Sequence, residues 1–121
     1  MLQVTAYKRR TSDEEISFWA NAAQTVLATI DGAADKVRVK VGRPGETPLL
    51  DIVSGTPLGG GSSVTATNPA TVRFHQTDLA ALTPAIYEIA ASIVDASDSG
   101  VIKHAYSGTF NLLDTQTGGV S

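Results

Sequence analysis

The stretch Lys36-Val37-Arg38-Val39-Lys40-Val41 alternates a valine with a basic residue at every step. Successive side chains of a β-strand point to opposite faces, so this pattern places three valines on one side and three cations on the other. β-branched residues at a period of two are typical of a half-buried strand. We therefore expect a strand here, with buried valines and a solvated basic face.

Turn residues bound this strand and recur along the chain. Asp31-Gly32 precedes it and Arg43-Pro44-Gly45-Glu46 follows it, and such residues are typical of tight turns. Further alternating runs predict strands at residues 2–7, 48–53, 64–67, 71–75, 85–94 and 101–113. Seven or eight short strands without long helices between them predict an all-β fold, an antiparallel β-sandwich. We expect one domain over residues 1–121, with residues 115–121 as a polar tail.

Residues 13–30 allow two interpretations. Helical spacing relates five apolar residues: Ile16, Ala20, Ala23, Leu27 and Ile30. Ser12 and Glu15 would form a capping box for such a helix. The same segment also alternates in polarity, and the surrounding β pattern favours a strand over residues 14–20 and a short one over residues 25–29. We adopt the strand interpretation.

The composition is rich in small residues and poor in charge. Ala, Gly, Ser and Thr make up 51 of the 121 residues, and charged residues are only 17%, against about 25% in typical proteins. We expect a thin, closely layered core and a weakly charged surface. There is no cysteine and the net charge is −3, which argues against disulfides and against nucleic acid as a partner. No apolar run or N-terminal pattern predicts a membrane span or a signal peptide.

Catalytic and metal-binding patterns are not evident. His75 and His104 are the only histidines, and neither has a second ligand at a metal-binding spacing. The glycines at 59–61 lack the lysine of a phosphate-binding loop, and the turn with Asp95 and Asp98 lacks the late glutamate of a calcium loop. We expect no catalytic residue, no metal and no cofactor, and therefore not an enzyme.

Candidate interface residues are the exposed cations and the single tryptophan. They are Lys8, Arg9, Arg10, Trp19, Lys36, Arg38 and Lys40. A basic surface would be steered towards an acidic protein surface, although solvated cations are the simpler interpretation. Tryptophan is enriched at binding hot spots, so Trp19 is either a core residue or an interface anchor.

The second half of the chain resembles a known module. The run Asp78-Leu79-Ala80-Ala81-Leu82-Thr83-Pro84-Ala85-Ile86-Tyr87 precedes a strand that ends in Val94-Asp95, and Gly108-Thr109-Phe110-Asn111-Leu112 follows. This layout resembles the immunoglobulin-like (Ig-like) modules of tailed-phage virion proteins, the N-terminal domain of phage baseplate upper proteins being the nearest family. The resemblance covers residues 36–113, and Ala85 stands where the family usually has glycine.

The resemblance implies an Ig-like sandwich with a short helical turn between its sheets. Asp78 and Leu82 would belong to that turn, and Pro84 would set its exit. Tyr87 would begin the next strand with its hydroxyl bonded back to the loop, as in a tyrosine corner. Gly108, within the last strand, is expected to be a bulge or bend.

The function that the resemblance implies is structural. We expect a non-enzymatic protein of the phage particle, synthesised in the host cytoplasm, that binds other virion proteins in multiple copies. Capsid decoration or cement proteins and accessories of the tail, baseplate or connector are the matching roles. The alternative is a carbohydrate- or ligand-binding sandwich of the adhesin type, although only seven residues are aromatic.

Overall fold

The computed structural model describes residues 2–30, 34–54, 61–95 and 101–114. Within these residues the fold is all-β, with eight strands and one helical turn. The elements are β1 (Leu2–Tyr7), β2 (Ser12–Ile16), β3 (Asp35–Gly42), β4 (Leu50–Val53), β5 (Ser63–Val64), β6 (Ala70–Phe74), α1 (Gln76–Leu79), β7 (Ala85–Asp95) and β8 (Val101–Leu113). The strands that we predicted from alternation are therefore present, with ends displaced by a few residues.

The strands form two sheets. One has five strands in the order β1-β8-β7-β3-β4, and the other has three in the order β2-β6-β5. Every pair is antiparallel except β1 with β8, which are parallel. The expectation of a wholly antiparallel arrangement is wrong at this pair. Only strands joined by a short hairpin must be antiparallel, and β1 and β8 come from opposite ends of the chain.

The inward faces of both sheets contribute to one core. The valines of β3, Val37, Val39 and Val41, are fully buried as predicted. Alternate residues of β7 are also buried: Tyr87, Ile89, Ala91 and Ile93. The rings of Phe74 in β6 and Phe110 in β8 lie 5.0 Å apart, centroid to centroid, so the two sheets contact each other through aromatic side chains.

The segment after β2 is a loop rather than a helix or a long strand. The ladder ends at Ile16, and between residues 17 and 30 the only β pairing is a single bridge from Trp19 to Leu27. The side chain of Asn68 takes the place of a neighbouring strand. Its amide accepts a hydrogen bond from Phe18 N (3.0 Å) and donates to Phe18 O and Ala28 O (2.7 Å each). The predicted strand over 14–20 is therefore correct only in its first part, and no strand forms over 25–29.

The helical turn α1 lies where a turn was predicted and contains Asp78, but it ends at Leu79, so Leu82 follows it. Thr77 or Asp78 fits the N-cap by residue type, whereas the observed cap is His75, whose Nδ1 accepts from Thr77 N (3.1 Å). After the turn, the Tyr87 hydroxyl donates to Thr83 O. This confirms the hydrogen bond that was expected of Tyr87.

Gly108 is not a bulge. The register shift in the β7–β8 ladder lies at Ile93/Val94, where Lys103 of β8 has no opposite residue. Gly108 instead pairs with Leu2 of β1, and a Cβ atom added there would lie 1.8 Å from Leu2 O. The position requires glycine because the backbone of β1 passes too close for any side chain.

Candidate interaction surfaces

The basic face of β3 is partly neutralised. Lys36, Arg38 and Lys40 are half-buried on the outer face of the five-stranded sheet. The Arg38 guanidinium makes a bidentate contact with Asp51 of β4, with Nε–Oδ1 at 2.8 Å and Nη2–Oδ2 at 2.6 Å. This hydrogen bonding lowers the pKa of Asp51 and raises that of Arg38. The charge of Arg38 is therefore neutralised by Asp51 of the neighbouring strand β4, and Lys36 and Lys40 carry the remaining positive charge of the β3 face.

The N-terminal basic residues lie apart from this row. Lys8, Arg9 and Arg10 follow β1, where Lys8 N donates to Leu113 O (2.8 Å). The strands β8 and β7 stand between β1 and β3. Three strand spacings amount to about 14 Å, so the two groups of cations do not merge into one basic patch.

The outer face between the two basic groups carries little charge and mostly small side chains. Register places small or uncharged side chains there: Gln3, Thr5, Ala90, Ser92, Ala105, Ser107 and Thr109. Glu88 is the charged residue among the outward positions of β7 and β8 between Ile86 and Val94. This face can approach another surface with little loss of charge solvation.

Trp19 is at the surface and anchored through its backbone. It is half-buried, its N–H donates to the Tyr106 hydroxyl (2.9 Å), and that hydroxyl is 3.3 Å from Trp19 O. Phe18 lies in the core, with its ring 5.6 Å from that of Tyr106. Trp19 is therefore not one of the core residues, and its indole remains available to a partner.

Two shallow depressions adjoin Trp19. One, of about 360 Å³, is lined by Trp19, His104 and Tyr106 together with residues 20–24. The other, of about 180 Å³, is lined by Leu2, Ile16 and Ser17 as well as Trp19 and Tyr106. Both are open, so the tryptophan forms the wall of a groove rather than of a closed pocket.

A short arch over residues 19–27 holds apolar side chains in solvent. The Asn21 side chain accepts from Thr25 N (3.1 Å) and Val26 N (3.3 Å) and donates to Thr25 Oγ1 (2.8 Å). Val26 is 56% exposed and Leu27 is 40% exposed. Sequence reasoning missed this arch, because the hydrogen bonds of an Asn side chain to later backbone groups give no periodic signal.

The first half of β8 is an open edge. β1 pairs with β8 only from Gly108 onwards, and among the residues that the structure describes no other strand pairs with residues 101–107 on that side. Val101 and Ile102 are 50% and 60% exposed. We name the open edge over residues 101–107, together with the arch over residues 19–27, the apolar edge.

One group of residues has the composition of a catalytic triad but not its geometry. The Ser62 hydroxyl donates to Asp78 and accepts from His75 N (3.0 Å), whereas the ring nitrogen of His75 accepts from Thr77 N. A nucleophilic serine must donate to the histidine ring and be open to substrate, and Ser62 is fully buried. These hydrogen bonds therefore hold residue 62 against the start of α1, and the role of the group is structural.

The described residues hold neither a metal-binding cluster nor a membrane-spanning helix. No group of three or more His, Cys, Asp or Glu in residues 2–30, 34–54, 61–95 and 101–114 has the geometry to hold a metal ion. Within the same ranges, no helix has the length and apolarity to cross a membrane.

In comparisons with known proteins, no family model, no curated protein and no solved structure matches the chain.

Proposed function

We propose that this chain is a non-enzymatic structural protein of a tailed-phage particle, an Ig-like module that binds neighbouring virion proteins. Capsid decoration or cement, or an accessory position in the tail, baseplate or connector, are the roles it fits. The observation that carries the proposal is the run Asp78 to Tyr87, which resembles the virion modules in sequence and forms the corner between the two sheets.

The strand order supports an Ig-like interpretation. In immunoglobulin domains one sheet contains strands C, F and G, with C′ added in variable-type domains, and the other contains B, E and D. Assigning β2 to β8 the letters B, C, C′, D, E, F and G reproduces both groups in this chain. The Tyr87 hydroxyl also bonds to a carbonyl four residues upstream, as it does in a tyrosine corner.

The surface supports a packing role. Apart from Glu88, the outer face of the five-stranded sheet carries small, uncharged side chains between its two basic groups. Depletion of charge is typical of the buried centre of protein interfaces. A neighbouring virion protein could cover this face without stripping water from many charges.

Mass spectrometry of purified phage particles tests the proposal. The particles would come from the source of the sequence, be separated on a density gradient and be quantified against a major capsid protein. We expect the chain to co-purify at a constant ratio to that protein, in several copies per particle. Its absence from the particles, or a ratio that falls with purification as it does for host proteins, would refute the proposal.

A ligand-binding function is favoured by one observation, the groove beside Trp19. A half-buried tryptophan at the surface, next to Tyr106 and His104, is a surface on which a sugar ring could stack. A glycan array with Trp19→Ala as control separates the two functions. Binding that disappears in the variant would favour the alternative, and no binding by either chain is expected of a structural module.

A further inference from the structure

We propose that the apolar edge is where two copies of this chain associate, with the β8 strands of the two copies running antiparallel about a two-fold axis. This pairing deepens the proposed packing role and rests on it. It names both the surface and the occupant, a second copy of the chain.

The unpaired backbone of β8 is the first argument. Residues 101–107 have β7 on one side, and no described residue supplies a strand on the other. Such an edge presents a row of N–H and C=O groups that another strand can satisfy. The same edge already accepts β1 further along, at Gly108 and beyond, so an added strand would continue an existing line of pairing.

The distribution of exposed apolar side chains is the second argument. Among the described residues, six large apolar side chains are exposed, and four of them belong to the apolar edge: Val26, Leu27, Val101 and Ile102. In a two-fold pairing, residues 101–102 of each copy lie beside residues 105–106 of the other. Register places Val101 on the same face of β8 as His104 and Tyr106, so Val101 covers the groove next to Trp19, whereas Ile102 packs beside Ala105 on the outer face. The second copy makes the same contacts in return.

Charge is the third argument. A two-fold axis places each residue near its own counterpart in the second copy, so like charges would face each other. The pairing therefore requires an edge whose charged side chains are already neutralised within the chain. Lys103 is the cation within the edge, and its Nζ lies 2.8 Å from the buried Asp35 and 3.9 Å from Asp95. A lysine at a β-bulge normally prevents another strand from pairing with a sheet edge, because its charge would be desolvated. Here its charge is directed into the chain's own carboxylates.

The contact has the size of a weak, specific interface. Seven strand residues span about 23 Å. With the arch beside them, they form a contact that we place near the lower bound for specific association, a total of about 1,000 Å². We therefore expect a dissociation constant of about 10–100 µM.

Sedimentation of the full chain tests the pairing. Concentrations from about 1 µM to about 1 mM bracket the expected constant, and we expect a monomer that becomes a dimer across this range. Ile102→Lys places charge on the edge and should raise the dissociation constant at least about tenfold. The matched control is Ile86→Lys in β7: Ile86 is 71% exposed against 60% for Ile102 and lies at the opposite end of the β7–β8 ladder. This variant should leave the dissociation constant unchanged.

A second variant distinguishes loss of pairing from misfolding of the chain. Val26→Lys lies in the arch, outside every strand, and should weaken the dimer as Ile102→Lys does while both variants keep the wild-type melting temperature. A chain that stays monomeric throughout the range overturns the pairing, as does a dimer that the edge variants leave intact. A monomeric chain that is abundant in purified particles would overturn the pairing alone, whereas a dimeric chain absent from them would overturn the proposed function alone.

Discussion

Replacement of Gly108 by alanine tests how β1 is held. The added Cβ would lie 1.8 Å from Leu2 O and 2.5 Å from Leu2 C. Both are backbone atoms, so no side-chain rotation can relieve the contact. Ordinary carbon–oxygen contacts begin above about 3 Å, so β1 must move away by more than 1 Å, a displacement that breaks hydrogen bonds of about 2.9 Å.

The expected cost follows from what β1 contributes. Losing about two ladder hydrogen bonds costs about 2 kcal/mol. Partial exposure of Leu2 and Val4 adds about 1–2 kcal/mol. Alanine recovers about 0.5 kcal/mol by restricting the unfolded chain. We therefore expect Gly108→Ala to lower the free energy of unfolding by about 3 kcal/mol, which corresponds to a melting temperature lower by roughly 10 °C.

Urea denaturation and hydrogen exchange provide the measurement. The amides of β1 should exchange faster in the variant, while those of β3 keep their protection relative to global unfolding. Gly45→Ala is the control: Gly45 has φ +77° but nothing within 4 Å of an added Cβ, so it should cost only about 1 kcal/mol. Equal stability of the two variants, or unchanged exchange in β1, would show that the close approach to Leu2 does not require glycine.

Three further predictions concern side chains that the sequence pattern does not single out. Asn68→Ala removes three hydrogen bonds and leaves Phe18 N and Ala28 O without a partner, while Phe18 O keeps its bond from Ala28 N. The change should cost about 2–3 kcal/mol in urea denaturation. Asn21→Ala also removes three hydrogen bonds, but at an exposed site, so it should cost under about 1 kcal/mol, and equal losses would contradict the argument. Lys103→Met removes the cation 2.8 Å from Asp35, which is 1% exposed, and should cost about 2 kcal/mol, since Lys103 is itself partly solvated; Lys103→Arg should recover most of this loss, and a neutral Lys103→Met change would show that the ion pair adds nothing. Burial raises the pKa of Glu14 above its ordinary value of 4.5, so protonation stabilises the fold and this stability is lost as the pH rises through the folded pKa. Glu14→Gln should therefore melt at a higher temperature than the wild type at pH 7, with the gap closing below pH 4.5, and a gap that persists in acid would argue against this cause.

Strands and their buried faces were predictable because the signal is local. Val37, Val39 and Val41 alternate with charged residues over six positions, and the same period of two places Tyr87, Ile89, Ala91 and Ile93 on one face of β7. Neither pattern needs knowledge of a distant residue. The hydrogen bond of Tyr87 was expected from the family resemblance of residues 78–87, and not from the alternation.

The candidate interaction surface was predictable only in part. The sequence marked Trp19 and the cations by residue type, but not the exposure of Val26, Leu27 or Ile102. An apolar residue in a sequence is expected in the core by default, and its exposure depends on which strands end beside it. The pairing of Arg38 with Asp51 likewise depends on the register of β4 against β3.

The amino-acid sequence by itself determined the all-β class and the buried faces, because each follows from residues within a few positions of one another. Only the tertiary structure decided that β1 runs parallel to β8, that Gly108 serves close approach rather than a bulge, and that residues 17–30 form a loop. Those outcomes depend on contacts such as that of Phe18 with Asn68, fifty residues apart. No local pattern reports a contact at that separation, because its energy appears only when the two sheets have met.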